Sequence, residues 1–165
     1  MRLTLYSDYA LRVLVYVGSA PTGSASIQQI SRAYNVSRHH LTKVVNRLAR
    51  IGLLTTTPGR GGGMKLAKSP ADIRIGETIR QTEPNFHLVE CLDDATNQCV
   101  ITSACKLRGI LSDGLRAFLD KLNEHTLADL LTERAQLQPL LGLVTLHIGA
   151  RSNGVVGVAG IAAHA

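Results

Sequence analysis

The sequence predicts a mainly α fold with a small β-wing, a winged helix-turn-helix followed by a long dimerisation helix. Three observations carry this. Two runs of helical periodicity meet at a tight corner, Val36-Ser37, and the second leads directly into a glycine-rich basic hairpin. Residues 1–65 hold nine Lys or Arg against one acid, Asp8, a local +8 in a chain of net charge +6. Residues 106–125 then carry an apolar stripe broader than one small domain requires.

The elements follow in order. Leu3, Tyr6, Ala10, Leu14 and Val17 repeat at helical spacing and predict a first helix over 2–18, ending at Gly18. After a loop, Ser26 is expected to cap a short helix that ends near Asn35, with Ile27, Ile30 and Ala33 inward. Ser37 is expected to cap the next helix, which stops at Gly52. Its Leu41, Val44, Val45, Leu48 and Ile51 face inward, leaving Arg38, His39, Thr42, Lys43, Asn46 and Arg47 outward. Leu53–Thr57 and Met64–Ala67 are β-rich and flank Pro58-Gly-Arg-Gly-Gly-Gly63, a predicted two-stranded wing. Glycines there let a phosphate backbone approach closely, and Arg60 is placed to enter a minor groove.

A short helix, a tight turn, a basic helix and a wing point to duplex DNA; an RNA-binding or protein-docking winged helix is the alternative. Ser37, Arg38, His39, Thr42, Lys43, Arg47, Arg60 and Lys65 are the candidate DNA contacts. One further helix is expected over 71–83, with Ile73, Ile75, Ile79 and Thr82 inward, ended by Pro84 and Asn85. Leu107, Leu111, Leu115, Phe118 and Leu122, widened by Ile110, Leu119 and Leu127, predict the dimerisation helix, and a homodimer suits a palindromic operator. A last short helix should end at Pro139 and Gly142. The expected division is 1–82 for DNA binding, 83–105 for a cofactor loop, 106–142 for dimerisation and the terminal helix, and 143–165 for a poorly ordered tail.

The cofactor loop is inferred from the cysteines. All three, Cys91, Cys99 and Cys105, fall in one polar stretch rich in Asp, Asn, Thr and Ser. Three thiols cannot all pair within a chain, and no secretion signal precedes them, so a disulfide framework is not expected and the protein is expected to be cytoplasmic. Such a site suits zinc, an iron–sulfur cluster or direct thiol redox chemistry. Gaps of seven and five residues are wide for a zinc knuckle and suit a cluster better, with a fourth, non-thiolate ligand or an open iron implied. His87, four residues before Cys91, is a weaker ligand candidate. No apolar run of membrane length is present. The glycines near residue 60 lie between two strands and not between a strand and a helix, which argues against a dinucleotide site. An enzyme is therefore not expected, a small redox protein being the rival from another class.

Taken together, the segments SDYALRVLVY, NVSRHHLTKVVNRLARIGLL, ADIRIGETIRQTEP and HTLADLL resemble the first helix, recognition helix, linker and terminal helix of a family of bacterial winged-helix transcription regulators that carry iron–sulfur clusters. The resemblance runs from Met1 to about Gly142 and is nearest to the family's nitric-oxide-sensitive repressors. It implies that Cys91, Cys99 and Cys105 ligate the cluster, with Asp8 as a further ligand donated across a homodimer. It also implies a 4Fe-4S cluster in preference to 2Fe-2S, and repression of double-stranded operator DNA that nitric oxide lifts by removing the cluster. Lys106-Leu107-Arg108 lacks the histidine that the family's cluster-assembly regulators place after the third cysteine. The long first gap is similar instead to the family's iron regulators, which keeps an iron- or cluster-status signal as the alternative. Pro58 and Gly61 replace basic and Asn residues common in the family's wing.

Overall fold

The structure, a computed structural model, describes residues 2–59 and 61–143. The expectations for Arg60 and for the tail beyond Leu143 lie outside the described residues.

Helix α1 (Leu5–Ser19) starts later than its periodicity suggests, because the Thr4 hydroxyl accepts from the Ser7 N–H and caps it. Its Ala10, Val13, Leu14 and Val17 form the centre of the core. Helix α2 (Ile27–Tyr34) is capped as expected, with Ser26 accepting from the Gln29 N–H while the Gln29 side chain accepts from the Ser26 N–H. Asn35, at φ 51°, ends it in the left-handed conformation that Asn tolerates and so makes the corner. Helix α3 (Arg38–Arg50) buries Leu41, Val44, Val45 and Leu48 against α1 and α2. Ser37 holds the N-cap position, but its side chain makes no capping bond.

Strands β1 (Leu54–Thr57) and β2 (Gly63–Leu66) form an antiparallel pair running from Leu54↔Leu66 to Thr57↔Gly63. Met64 ties this wing to the turn before α2 by exchanging two backbone hydrogen bonds with Ala25, at 3.0 and 2.7 Å.

The linker departs from the expected single helix. Pro70–Asp72 is a 3-10 turn, Ile73 and Arg74 are extended, and only Ile75–Thr82 is helical (α4). The break is imposed from a distance. Leu127 N–H donates to the Ile73 carbonyl at 2.8 Å, and Ile75 N–H donates to the His125 carbonyl at 2.9 Å. Helix α5 (Lys106–Asn123) packs on α4. The terminal segment forms two helices and not one, α6 (Leu127–Leu130) and α7 (Arg134–Leu140). Pro139 lies inside the last turn of α7 and does not end it; Gly142, at φ 64°, follows the helix. Leu127 belongs to α6 and to the main core, so it does not extend the α5 stripe as its spacing suggested.

Two apolar clusters result. The larger joins α1, α2, α3, the wing, α6 and the end of α7; the smaller joins Ile75, Ile79 and Leu119 with Leu3, Leu11, Phe86, Leu115 and Leu122. Half of the α5 stripe is thus satisfied within the chain. Burial of such side chains contributes roughly 1.5–3 kcal/mol each before chain entropy is counted.

Candidate nucleic-acid interface and cysteine loop

Ser37, Arg38, His39, Thr42, Lys43 and Asn46 all lie exposed along α3, and the helix carries no acid. Such a face repels no phosphate. The Thr42 hydroxyl donates to the Arg38 carbonyl at 2.8 Å, so it is left as an acceptor toward any ligand. Lys65 is exposed on β2 opposite Thr55. Arg47 is placed differently. Its Nε and a terminal nitrogen both donate to the Gln81 carbonyl, at 3.2 and 3.0 Å, at the end of α4.

Periodicity gave no sign of the aromatic contact beside this face. Exposed His40 stacks on Tyr9 of α1 with ring centres 6.4 Å apart and planes at 24°. No local signal could have shown it, since the two rings lie on different helices. The Tyr6 hydroxyl donates to the Lys43 carbonyl at 3.1 Å. Burial pushes the Tyr6 phenol up from its ordinary pKa, with Arg47 and Arg50 pulling the other way, so it remains a donor at neutral pH.

The three cysteines are free and half-buried. Cys91 sits in the 3-10 turn Glu90–Leu92, Cys99 follows the Asn97 turn, and Cys105 precedes α5. The polar residues expected to expose this loop also brace it. Glu90 accepts from the Gln98 N–H at 2.6 Å, Asn97 from the Cys99 N–H at 3.0 Å, and Asp94 pairs with Arg108 at 2.6 Å. Asp93 accepts from the Thr96 hydroxyl and the Ala95 N–H, which together hold its carboxyl below the ordinary value. His87 faces Asp93 at 3.4 Å and not a thiol.

Among the described residues no three His, Cys, Asp or Glu side chains converge into a metal-holding group. Asp8, in the first turn of α1, is paired with Arg12 at 2.9 Å, and Arg12 lies over the Tyr34 ring at 5.6 Å. The hydrogen bond that Arg12 donates to Asp8 raises the Arg12 pKa further still. In its donor chemistry the loop fits a soft metal or cluster: three unpaired thiols within one short segment, none sealed in the core.

The outer face of α5 remains apolar, with Leu107, Ile110 and Phe118 respectively 58%, 65% and 38% exposed. Ile110 and Phe118 line, with Leu3, Leu88, Leu111 and Leu115, a groove of about 480 Å³. Among the described residues no helix is long and apolar enough to cross a membrane.

A family model described as Rrf2, iron-dependent transcriptional regulator, matches residues 3–133. The chain is similar to an HTH-type transcriptional regulator NsrR from Halalkalibacterium halodurans, 46% identical over 144 residues, covering 87% of this chain and 99% of the relative. A Geobacillus kaustophilus regulator of the same name is 47% identical over 142 residues, covering 86% and 97%. Among solved structures, CymR, the global cysteine regulator of B. subtilis, superposes with a TM-score of 0.61 at 26% identity, covering 81% of this chain and 98% of that one.

Proposed function

Because the chain belongs to the Rrf2 family of transcriptional regulators, we propose that it is a homodimeric, cytoplasmic DNA-binding repressor whose iron–sulfur cluster senses nitric oxide. The observation that carries this reading is the near full-length likeness to regulators named NsrR in a chain whose three free thiols share one loop. Cys91, Cys99 and Cys105 would hold the cluster, with Asp8 of the partner subunit as the remaining ligand. Thiolates are soft donors suited to iron, and a single harder carboxylate leaves one iron more open to a small ligand. When bound, the cluster, 4Fe-4S in preference to 2Fe-2S, supplies iron to which nitric oxide has access.

The protein residues do the rest. Asp8, paired with Arg12 in the single chain, would have to give up that pair to reach a cofactor held by a partner's cysteines. Exposed Leu107, Ile110 and Phe118 pair with their symmetry mates and set the two α3 helices about one DNA turn apart, which a palindromic operator in double-stranded DNA matches. Ser37, Arg38, His39, Thr42 and Lys43 contact base edges and phosphates, with Lys65 and Arg60 on the wing.

Anaerobic purification with iron, sulfide and absorbance readings, then stoichiometric nitric oxide and an operator mobility-shift assay on the same sample, tests this. The expected result is a brown protein whose colour and DNA binding vanish together. A reconstituted protein that stays colourless yet binds DNA would make the cysteines a thiol or zinc switch. The iron-dependent description of the matching family favours one second reading, an iron-status regulator. It predicts release of DNA on chelation with no special response to nitric oxide.

A further inference from the structure

Gln81, Thr82 and Glu83 are consecutive, and each makes a different anchor to the DNA-binding helices. The Gln81 carbonyl, one of the four that a helix end leaves without an intrahelical partner, takes the forked Arg47 guanidinium of α3 at 3.2 and 3.0 Å. The Thr82 hydroxyl meets the Ser7 hydroxyl of α1 at 2.9 Å, both buried. The Glu83 carboxylate accepts from the Thr4 N–H at 2.8 Å and from the Thr4 hydroxyl at 3.1 Å, at the positive end of α1. Pro84 comes next and opens the segment that leads to Cys91. The end of α4 and its C-cap are therefore tied to both α1 and α3, and the chain runs on from them to the cysteine loop.

Arg47 is suited to this place by its angle. At about 100° per residue, it lies roughly 85° from the middle of the outward face of α3, at the flank next to α4, whereas His39, Thr42, Lys43 and Asn46 lie within about 60° of that middle. A guanidinium is always charged and planar, so it satisfies a helix-end carbonyl with two parallel donors and complements the negative end of the α4 dipole. One turn earlier on α3, the Lys43 carbonyl accepts from Tyr6, which adds a second tie between α3 and the start of α1.

We propose that residues 81–83 are the joint through which the cysteine loop sets the recognition helix, and that Arg47 is a positioning residue of that joint and not a contact to DNA. This rests on the repressor reading above. A shift of the chain at Pro84 moves the Gln81 carbonyl, and Arg47 carries the shift to α3. The acceptor is a backbone atom, so substitutions of the Gln81 side chain leave the joint intact and Arg47 is the place to break it.

The test compares the wild type with Arg47→Lys and Arg47→Ala as full-length, cluster-loaded proteins, measuring operator affinity across a salt series before and after nitric oxide. Arg47→Lys keeps the charge and loses the fork. The joint predicts an unchanged salt slope in both variants and a fall of about tenfold in the ratio of affinities before and after nitric oxide. A salt slope lowered by about 0.9 in Arg47→Ala, with the ratio unchanged, makes Arg47 a phosphate contact and overturns the proposal. Hydrogen–deuterium exchange on the same proteins with and without iron separates this failure from that of the repressor reading. If the wild type ignores nitric oxide, that reading falls. The joint then stands if iron removal changes protection over 38–50 in the wild type but not in Arg47→Lys, and it falls if both change alike. Melting within a few degrees of the wild type excludes simple misfolding, and Arg47→Lys supplies the folded variant if Arg47→Ala does not fold.

Discussion

The Ser7 and Thr82 hydroxyls meet at 2.9 Å in the buried seam between α1 and α4, and Thr82 also donates to the Thr78 carbonyl at 2.9 Å. The proton between them therefore comes from Ser7. Thr82→Val keeps the shape but leaves the Ser7 donor unpaired in a dry site, and should cost about 1–3 kcal/mol. Ser7→Ala removes the donor itself and should cost about 1 kcal/mol or less, because Thr82 keeps its carbonyl partner. The double variant should be less damaged than the two losses added, as read by urea unfolding; strict additivity would show that the hydroxyls are not coupled.

Gly76 allows α4 and α5 to approach. A Cβ there would stand 2.5 Å from the Leu119 carbonyl oxygen and 2.8 Å from the Asn123 backbone nitrogen. Backbone cannot rotate away, so Gly76→Ala should destabilise by about 1–3 kcal/mol despite its better helix propensity. Gly109, on α5 with open space around it, should by contrast gain up to about 1 kcal/mol as Ala. Equal melting temperatures for the two variants would contradict the packing described.

The exposed face of α5 should carry self-association. Ile110→Glu places a charge on a side chain that is 65% exposed in the single chain. Sedimentation should show a monomer at concentrations where the wild type is a dimer, with little loss of monomer stability. Dimerisation unaffected by both Ile110→Glu and Phe118→Glu would move the interface elsewhere.

Lys43 and Lys65 are exposed on α3 and β2. If each neutralises one phosphate, replacement by Ala should weaken operator binding and reduce the salt slope by about 0.9 apiece. The loss should be similar for specific and random duplexes, since phosphate contacts carry no sequence. His39→Ala should instead lower the preference for the operator over random DNA.

Asp129 gives a pH signature. It accepts from the Thr126 N–H at 2.7 Å and from the Thr126 hydroxyl, and these bonds, the backbone one first, lower its pKa. A carboxyl with a lowered folded pKa stabilises the fold fully above its unfolded value near 4, and the contribution is lost as pH falls through the folded value. Asp129→Asn should therefore lower the melting temperature at pH 7 and match the wild type in strong acid. A difference that persists unchanged at pH 2 would show that the bond does not depend on ionisation.

Much of this protein follows from local pattern. Leu41, Val44, Val45 and Leu48 repeat at the period of a helix and are buried; Ser26 and Gln29 are spaced to cap one another and do; the wing flanks its glycines within a residue of the expected strands. Each depends on neighbours a few residues away, and so each is written in sequence spacing. The basic excess through Lys65 and the gathering of Cys91, Cys99 and Cys105 in one loop are equally plain, because charge and thiol chemistry are properties of the residues themselves.

Other features needed the folded chain. Ile73 and Arg74 leave the helix expected for them because Leu127 and His125 supply backbone partners from far along the sequence. Leu127 matches the α5 period yet enters the main core, and α7 is held to α1 by Arg134 and Gln138 donating to the Ser19 carbonyl, with Arg134 also donating to that of Ala20. Arg47 has the charge of the candidate DNA contacts and lies outward in the helical repeat with them, and the Gln81 carbonyl, 34 residues along the chain, is what takes its fork. Sequence alone determined the helices whose pattern is local, α1 to α3 and α5, together with the wing, where the positive field lies and where the thiols are. Tertiary structure decided the polar pairings between elements, such as Arg47 with Gln81, Ser7 with Thr82 and Arg134 with Ser19, since a hydrogen bond is a matter of position in space and these partners stand tens of residues apart.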